Sequence, residues 1–429
     1  MLTQSRSSYH RQRLSPAAAT IATWVLFAVV YLGLAVGRLP LLRLDRAGIA
    51  LVGATGMLVL GLIRFDTAVS SVDFETMALL FGMMVVVAYL RLGGFFRRLA
   101  AWLLARVRSP HGVLAAVVGL AGVLSAFLVN DVVCLALGPV ALTLARRLRR
   151  DPVPYLVALA TAANIGSTAT ITGNPQNMII GALSHIPYVT FASRLAPVAL
   201  VGLAIDYAVV ALAFRGSLAR ETLESPPSIL PRDPAGDPTR ELLPKGVAVL
   251  VALVVLFFAG APIELVALGA AAVLMLGRVR PERLYAQIDW NLLVMFAGLF
   301  VVVRGFEMHV ASAWDLGRIT AVSTPPVGVV TLVAAALSNL VSNVPAVLLL
   351  RSVVGALGPE ARAHTWLTLA MASTLSGNLT PIASVANLIV VEGARREGVS
   401  ISFWAYCRVG VPVTLLTLAV GAAWLTWVR

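Results

Sequence analysis

The stretch ATAANIGSTATITGNPQNMIIG, residues 160–181, lies between two long apolar runs and yet is rich in amides, hydroxyls and glycines. Gly166, Gly173 and Pro175 interrupt its helical pattern. Hydrocarbon cannot satisfy the backbone groups that a broken helix frees, so such a break is tolerated only inside protein or against a water-filled cavity. A broken membrane helix surrounded by neutral oxygens is typical of a site for an ion or small anion. The alternative is a polar seam of small residues between helices.

A second stretch, TLAMASTLSGNLTPIASVANLIVVE at residues 368–392, has the same design. A shift of 210 residues aligns three polar pairs: Thr170 with Thr380, Asn174 with Ser384 and Asn177 with Asn387. Broken segments at corresponding positions of two halves point to the binding site of a transporter.

Three further blocks repeat in the same order. LSAFLVND (124–131) matches LSNLVSNV (337–344) at a shift of 213, and DFETMALLFGMMVVV (73–87) matches DWNLLVMFAGLFVVV (289–303) at a shift of 216. The glycines at 53 and 61 match those at 269 and 277 at that same shift. Four ordered blocks indicate an internal duplication.

The composition indicates an all-α polytopic membrane protein, because 59% of the residues are hydrophobic, 12% are charged and apolar runs of spanning length recur. The net charge of +13 would suggest nucleic acid in a soluble protein, but the arginines lie between apolar runs, where they set topology. We therefore expect a lipid bilayer and no nucleic acid as partner. The two cysteines and five histidines form no disulfide or metal pattern, and we find no enzyme or nucleotide motif.

The apolar runs predict two repeats, each with a re-entrant hairpin and a broken transmembrane helix. The repeats are 1–214 and 246–429, joined by a cytoplasmic linker rich in proline and charge at 215–245. Spans are predicted in the first repeat at 17–36, 46–63, 74–90 and 195–214, and in the second at 246–260, 262–277, 288–306 and 402–427. The predicted hairpins lie at 111–146 and 326–357 and the broken helices at 152–184 and 365–391. Residues 95–109 predict a helix on the membrane surface, and the first span is interpreted as retained, not as a cleaved signal peptide.

The hairpin tips are predicted near Asn130 and Asn343, although two short full spans are an alternative for 111–146. Placing the 91–110 connector in the cytoplasm puts 22 of the 33 arginines and lysines on that face. Corresponding elements of the two halves then face opposite ways, so the repeat is inverted. The basic N-terminal tail is the exception to this distribution.

Few carboxylates lie deep in the apolar segments. Asp131 is at the predicted tip of the first hairpin, where an intramembrane carboxylate indicates an ion or proton pathway. A helix cap or an arginine pair is the alternative. Asp206, within the 195–214 span, is a second candidate. The neutral oxygens of the broken helices suit sodium, and helix N-termini suit an anion.

The motifs FLVNDVVCLALGPV, ANIGSTATITGNPQNMIIG, LSNLVSNVPAVLLL and GNLTPIASVANLIVVE resemble the ion-transporter superfamily over nearly the whole chain. The nearest resemblance is to the arsenite-permease, P-protein and citrate-transporter-like branch, which is related to the divalent-anion/sodium symporters. It implies an elevator-type movement, a homodimer and a bacterial plasma (inner) membrane.

The resemblance also implies a substrate- and ion-binding site. Its residues are Asn130, Asp131, Thr170, Thr172, Gly173, Asn174, Asn177, Ser342, Asn343, Thr380, Pro381, Ser384 and Asn387. Two departures affect the substrate. Relatives often have Gly-Asp-Pro-Pro-Asn where this chain has GNPQN at 173–177, and the Ser-Asn-Thr signature of the symporters is absent from both tips.

The sequence therefore predicts a secondary active transporter of a small anion or oxyanion-like solute. It predicts no cofactor and no bound metal beyond a coupling ion, sodium or a proton. Arsenite or antimonite efflux by proton antiport is the alternative, an ion channel is the alternative of another class, and an enzyme is not expected.

The basic flanks of the first hairpin generate a topological prediction. Cysteines placed at Arg108 and Arg147 should react with an impermeant thiol reagent from the same side of the membrane, because positive charge favours the cytoplasm at both ends. Labelling from opposite sides would exclude the hairpin.

Overall fold

The computed structural model describes residues 15–36, 44–107, 109–219, 241–277, 279–310 and 325–428, and all regular elements there are helices. The first half contains α1 (Pro16–Val36), α2 (Arg46–Val59), α3 (Phe65–Ser71), α4 (Phe74–Leu92), α5 (Phe95–Arg106), α6 (Pro110–Phe127), α7 (Asn130–Arg147), α8 (Val153–Ser167), a 3₁₀ turn (Ile171–Gly173), α9 (Pro175–Ser184), α10 (Tyr188–Ala213) and α11 (Arg215–Ala219).

The second half contains α12 (Leu242–Phe258), α13 (Ile263–Met275), α14 (Pro281–Tyr285), α15 (Trp290–His309), α16 (Val327–Val341), α17 (Asn343–Gly355), α18 (Pro359–Ser376), α19 (Val385–Arg396) and α20 (Phe403–Trp427). Six described helices, α1, α4, α6, α10, α15 and α20, are long and apolar enough to cross a membrane. The prediction of an all-helical polytopic membrane protein is confirmed.

Both predicted hairpins and both predicted broken helices are interrupted where the sequence indicated. The arms of the first hairpin, α6 and α7, each have 18 residues and meet at residues 128–129. The second hairpin turns at Ser342, between α16 and α17. The predicted surface segment forms α5 over Phe95–Arg106, whereas Val107 and Ser109 lie outside this helix and Arg108 lies outside the described residues.

Three helix starts differ from the prediction. Helix α10 begins at Tyr188 instead of 195, and α12 begins at Leu242 inside the predicted linker. Helix α18 begins at Pro359 instead of 365, because a proline fits the first turn of a helix and the charged residues of that turn lower its hydropathy. Linker residues 220–240 and connector residues 311–324 lie outside the described ranges.

The chain forms two units, and each takes helices from both halves. Unit 1 contains α1, α2, α3 and α15, and unit 2 contains the other helices. In unit 1, α2 packs against α15, and in unit 2, α13 packs against α4. Because α13 corresponds to α2 and α15 to α4 in the repeat, the two halves exchange equivalent helices.

Glycines permit both of these exchanged contacts. A Cβ atom added to Gly82 on α4 would lie 2.6 Å from the backbone of Ala267 on α13. A Cβ atom added to Gly298 on α15 would lie 2.8 Å from the backbone of Ala50 on α2. Gly82 and Gly298 are related by the repeat shift of 216, so the same close approach occurs once in each unit.

Gly82→Ala should therefore lower the stability of unit 2. The added methyl group meets a backbone carbonyl, and such overpacking typically costs ~1–3 kcal/mol. The matched control is Gly119→Ala on α6, where an added Cβ would meet no atom within 4 Å and where the helix should gain about 0.5–1 kcal/mol. Thermal unfolding in detergent measures both. Equal effects would show that the α4–α13 contact does not require glycine.

Candidate functional site

The first broken helix ends and restarts within unit 2. Helix α8 ends at Ser167, and α9 restarts at Pro175 with Asn174 as its cap, whose Oδ1 accepts the N–H of Asn177 at 2.8 Å. A Cβ atom on Gly173 would lie 2.2 Å from the carbonyl oxygen of Ser167. Only glycine fits there, which explains one predicted site position by backbone packing.

Each break is closed by the side-chain amide of an asparagine. Asn177 Nδ2 donates to the carbonyl oxygens of Ser167 (3.1 Å) and Thr170 (3.0 Å). In the second break, between α18 and α19, Asn387 Nδ2 donates to the carbonyl oxygens of Gly377 (2.7 Å) and Thr380 (3.1 Å). Both asparagines bond residues ten and seven positions earlier, and both are fully buried. We call these two sets of contacts the amide braces.

The two broken helices also bond to each other reciprocally. The repeat shift of 210 relates Asn164 to Thr374. Asn164 Nδ2 donates to Asn387 Oδ1 at 3.0 Å, and the hydroxyl of Thr374 donates to Asn177 Oδ1 at 3.4 Å. Equivalent positions thus contact each other in both directions, as in an isologous interface.

A second reciprocal pair joins the same helices. Asn174 Nδ2 donates to the Thr374 hydroxyl at 3.2 Å, and the Ser384 hydroxyl donates to Asn164 Oδ1 at 3.1 Å. The hydrogen bonds between the two broken helices therefore follow the repeat inferred from the sequence.

Together with the amide braces, the two reciprocal pairs form a network of buried amides and hydroxyls. Asn378 extends this network. Its Oδ1 accepts from Asn164 Nδ2 at 2.8 Å, and its Nδ2 donates to the carbonyl oxygen of Thr161 at 3.2 Å. Gln176 adds a contact to Thr374 at 3.2 Å.

The first hairpin joins the network at two points. Asn130 Nδ2, at the start of α7, donates to Asn164 Oδ1 at 2.9 Å. The hydroxyl of Thr170 donates to the carbonyl oxygen of Ala126 near the end of α6. Asn130 is 4% exposed, so the tip of the hairpin is buried against the broken helix.

Four buried polar atoms at the hairpins have no hydrogen-bond partner among the described residues. They form two repeat-related pairs: Asn130 Oδ1 with Asn343 Oδ1, and Ser125 Oγ with Ser338 Oγ. Buried polar groups are normally hydrogen-bonded. Four equivalent exceptions beside one network indicate acceptors and hydroxyls that a solute or ion can use.

The tip of the second hairpin is strained. Ser342 has φ 77° and ψ 159°, a region that is essentially restricted to glycine. Such a conformation costs about 1–3 kcal/mol for a residue with a side chain. The strain falls next to Asn343, which lies at the start of α17.

Helix ends supply the electrostatics of the site. Four helices, α7, α9, α17 and α19, begin at the two tips and two breaks, and four others, α6, α8, α16 and α18, end there. Helix α7 packs against α19, and α17 packs against α9. Helix N-termini attract anions and C-terminal carbonyls attract cations. Every side chain of the network in the described residues is an amide or a hydroxyl.

The remaining predicted site residues are placed less centrally. Asp131 is half-buried in the first turn of α7, and the Thr172 hydroxyl bonds the Tyr188 hydroxyl at 2.9 Å. Pro381 is buried next to Thr380, which contributes its carbonyl oxygen to a brace.

Five network residues were not among the predicted site residues: Asn164, Ser167, Gln176, Thr374 and Asn378. The signal that finds Asn164 and Thr374 is the repeat itself, because the shift that aligns the braces also aligns these two polar positions. Only the fold shows that they face the opposite half.

Comparison with known proteins gives a consistent result. The sequence model of the family described as citrate transporter, CitMHS, matches residues 24–376. The silicon efflux transporter LSI3 of Oryza sativa subsp. japonica is 30% identical over 468 residues, covering 92% of this chain and 96% of its own. A putative transporter, arsB, of Dictyostelium discoideum is 25% identical over 493 residues, covering 89% and 87%.

Solved structures agree on the fold. The crystal structure of the YdaH transporter of Alcanivorax borkumensis superposes with a TM-score of 0.58 at 17% identity, covering 96% of this chain and 98% of that one.

Removing either brace should destabilise the protein to a similar degree. Asn177→Ala and Asn387→Ala each remove two hydrogen bonds to buried carbonyl oxygens, at about 0.5–1.5 kcal/mol for each bond. Asn291→Ala, an exposed asparagine at the start of α15, is the control and should change little. The free energy of unfolding is measured by denaturant titration in detergent micelles. A loss confined to one of the two brace variants would show that the braces are not equivalent.

Proposed function

The chain belongs to the citrate transporter family, CitMHS, a family of membrane transporters and not of enzymes, and from that premise we propose that it is a secondary active transporter of a small anion or oxyanion-like solute. The observation that carries the proposal is the set of four unpartnered polar atoms beside the braced breaks. Broken helices in matching halves are the usual solute-binding arrangement of such transporters.

The chemistry of the network restricts the solute. The unpartnered hydroxyls of Ser125 and Ser338 and the helix N-termini can stabilise one diffuse negative charge, whereas the amide protons of the braces already bond backbone carbonyl oxygens. Arginine is the side chain that commonly binds carboxylates in pairs of hydrogen bonds, and the network of the described residues contains none. A small oxyanion or a hydroxylated acid therefore fits better than a compact polycarboxylate.

The coupling ion is sodium or a proton. Sodium coupling would use the oxygens of Asn130 and Asn343 together with the carbonyl groups at the ends of the preceding helices. Asp131, next to Asn130, would then supply the compensating negative charge. Asp131→Asn should in that case reduce the sodium dependence of transport.

The remaining features of the proposal come from the family resemblance. Movement of the elevator type, a homodimer and a bacterial plasma membrane are proposed on that basis. The helix exchange between the two units gives a structural reason for moving whole helix groups, because neither sequence half forms a unit alone.

Efflux of arsenite or antimonite by proton antiport is the second candidate. A neutral polar network favours it, since a weakly acidic metalloid hydroxide presents hydroxyl groups and little charge. The names of two relatives, a silicon efflux transporter and a putative arsB transporter, point in the same direction.

Reconstituted protein tests the function. Proteoliposomes are loaded to give a sodium or pH gradient, and uptake of radiolabelled or metal-detected anions, arsenite and silicic acid is followed. We expect accumulation of one solute above its external concentration in the presence of one gradient. Flux that never exceeds equal concentrations under any gradient would favour a channel and reject the proposal.

Asn343→Ala separates binding from folding. The Oδ1 atom of Asn343 has no partner within the described residues, so its removal should leave the unfolding free energy nearly unchanged. If Asn343 Oδ1 accepts a hydrogen bond from a hydroxyl of the solute, loss of that bond costs roughly 0.5–1.5 kcal/mol, or up to about one decade in apparent affinity. Asn291→Ala is the matched control. Wild-type affinity in Asn343→Ala would remove this asparagine from the binding site.

A further inference from the structure

One carboxyl group outside the network is fully buried within unit 2. Asp206 lies on α10, seven residues before the helix ends, and its side chain is 0% exposed. Neither carboxyl oxygen has a hydrogen-bond partner among the described residues. An ionised carboxylate without partners is strongly disfavoured in a helical membrane core.

One polar neighbour of Asp206 already uses its proton elsewhere. The Thr161 side chain on α8 faces Asp206, but its hydroxyl proton is donated to the carbonyl oxygen of Val157 at 2.9 Å. A hydroxyl has one proton and two lone pairs. The Thr161 oxygen is therefore free to accept, and a protonated Asp206 is the group that can donate to it.

The second neighbour is a buried phenol. The Tyr406 hydroxyl, on α20, lies near the side-chain amide of Asn387 and within electrostatic range of the Asp206 carboxyl. Tyr406 is 1% exposed, and its hydroxyl is also without a partner in the described residues. Its one proton can stabilise an ionised Asp206 or bond Asn387, but not both.

The charged side chains of the four long helices packed against α10 are exposed. Helices α6, α8, α18 and α20 contact α10, and Glu360, Arg362 and Arg408 on two of them are exposed. The remaining titratable groups on these helices are His111, Tyr155, His364 and Cys407, together with Lys245 on α12 and Arg215 on α11, which also contact α10. Of these groups, Cys407 is near Tyr406.

We propose that Asp206 is a proton-binding site, and that the proton it carries is the coupling ion of the transport cycle. The step makes one O–H bond: a carboxylate takes a proton from one side of the membrane, and the carboxylic acid releases it on the other. This inference rests on the proposed transport function and selects the proton over sodium as the coupling ion.

Two paths connect Asp206 to the amide network. Through Thr161, whose carbonyl oxygen accepts from Asn378, the carboxyl is one residue away from the contact between Asn378 and Asn164. Through Tyr406 it reaches Asn387, which closes the second break. Loss of the proton should draw the Tyr406 hydroxyl toward Asp206 and away from Asn387. Tyr406 is therefore a positioning residue for the coupling.

The proton site occurs in one half only. A shift of 215 aligns α10 with α20, including their internal prolines Pro197 and Pro412. The same shift places Asp206 on Gly421 and Phe191 on Tyr406. Asp206 and Tyr406 thus each lack a polar counterpart in the other half. We therefore expect the transport cycle to carry one proton at Asp206.

Infrared difference spectroscopy of purified protein tests the proton without requiring a substrate. The C=O stretching band of a buried carboxylic acid should be present in the wild type and absent from Asp206→Asn. Thr161→Val should shift that band, because it removes the acceptor, whereas Asp66→Asn, at an exposed ion pair with Arg64, should leave it unchanged. Absence of an Asp206-dependent band at neutral pH would overturn the proposal.

Proteoliposomes test the coupling. With the membrane potential clamped at zero, a gradient of one pH unit can support an about tenfold concentration ratio of solute for each coupled proton. Asp206→Asn should still exchange solute across the membrane but stop at equal concentrations, and Tyr406→Phe should keep the infrared band while its accumulation ratio falls. Wild-type accumulation by Asp206→Asn would overturn the coupling role.

The two tests can fail separately. A wild type that transports no solute under any gradient rejects the proposed function and with it the coupling role. The infrared result then still decides whether Asp206 binds a proton.

Discussion

Breaking a helix inside a membrane leaves backbone carbonyl groups that only protein can satisfy, and the rest of this structure depends on how that is done. Here the amides of Asn177 and Asn387 each bond two freed carbonyl oxygens. Because each brace uses both protons of one amide, the break is closed locally and needs no solute to hold it. The oxygen of each amide remains available to the opposite half.

The duplication explains how the two halves hold one another. Asn164 and Thr374 occupy equivalent positions and reach across to opposite braces, while equivalent helices are exchanged between the two units. Because the sequence is duplicated, each kind of contact occurs twice. These contacts also bury most of the polar groups of the candidate site, and unpartnered polar atoms remain at both hairpins.

The two halves differ in their ionisable groups, as the proposed coupled transport would require. Asp131 corresponds to Val344, Asp206 to Gly421 and Asn164 to Thr374, so the frame is symmetric while the ionisable groups are not. A transporter that couples a gradient to a solute needs its two end states to differ in affinity for the coupling ion. Unequal halves provide such a difference without disturbing the reciprocal frame.

The sequence by itself determined the class of protein, the duplication, both helix breaks and both hairpin tips, because hydropathy, glycine and proline positions and repeat shifts are local or pairwise properties of the chain. It also indicated most polar residues of the site. Only the tertiary structure decided which of these face one another: it turned Asn177 and Asn387 into backbone braces, brought in Asn164 and Thr374, and placed Asp206 near Thr161. The reason is physical, since the direction of a side chain in a helix is fixed by packing against distant segments, and no residue type or spacing records which partner lies opposite.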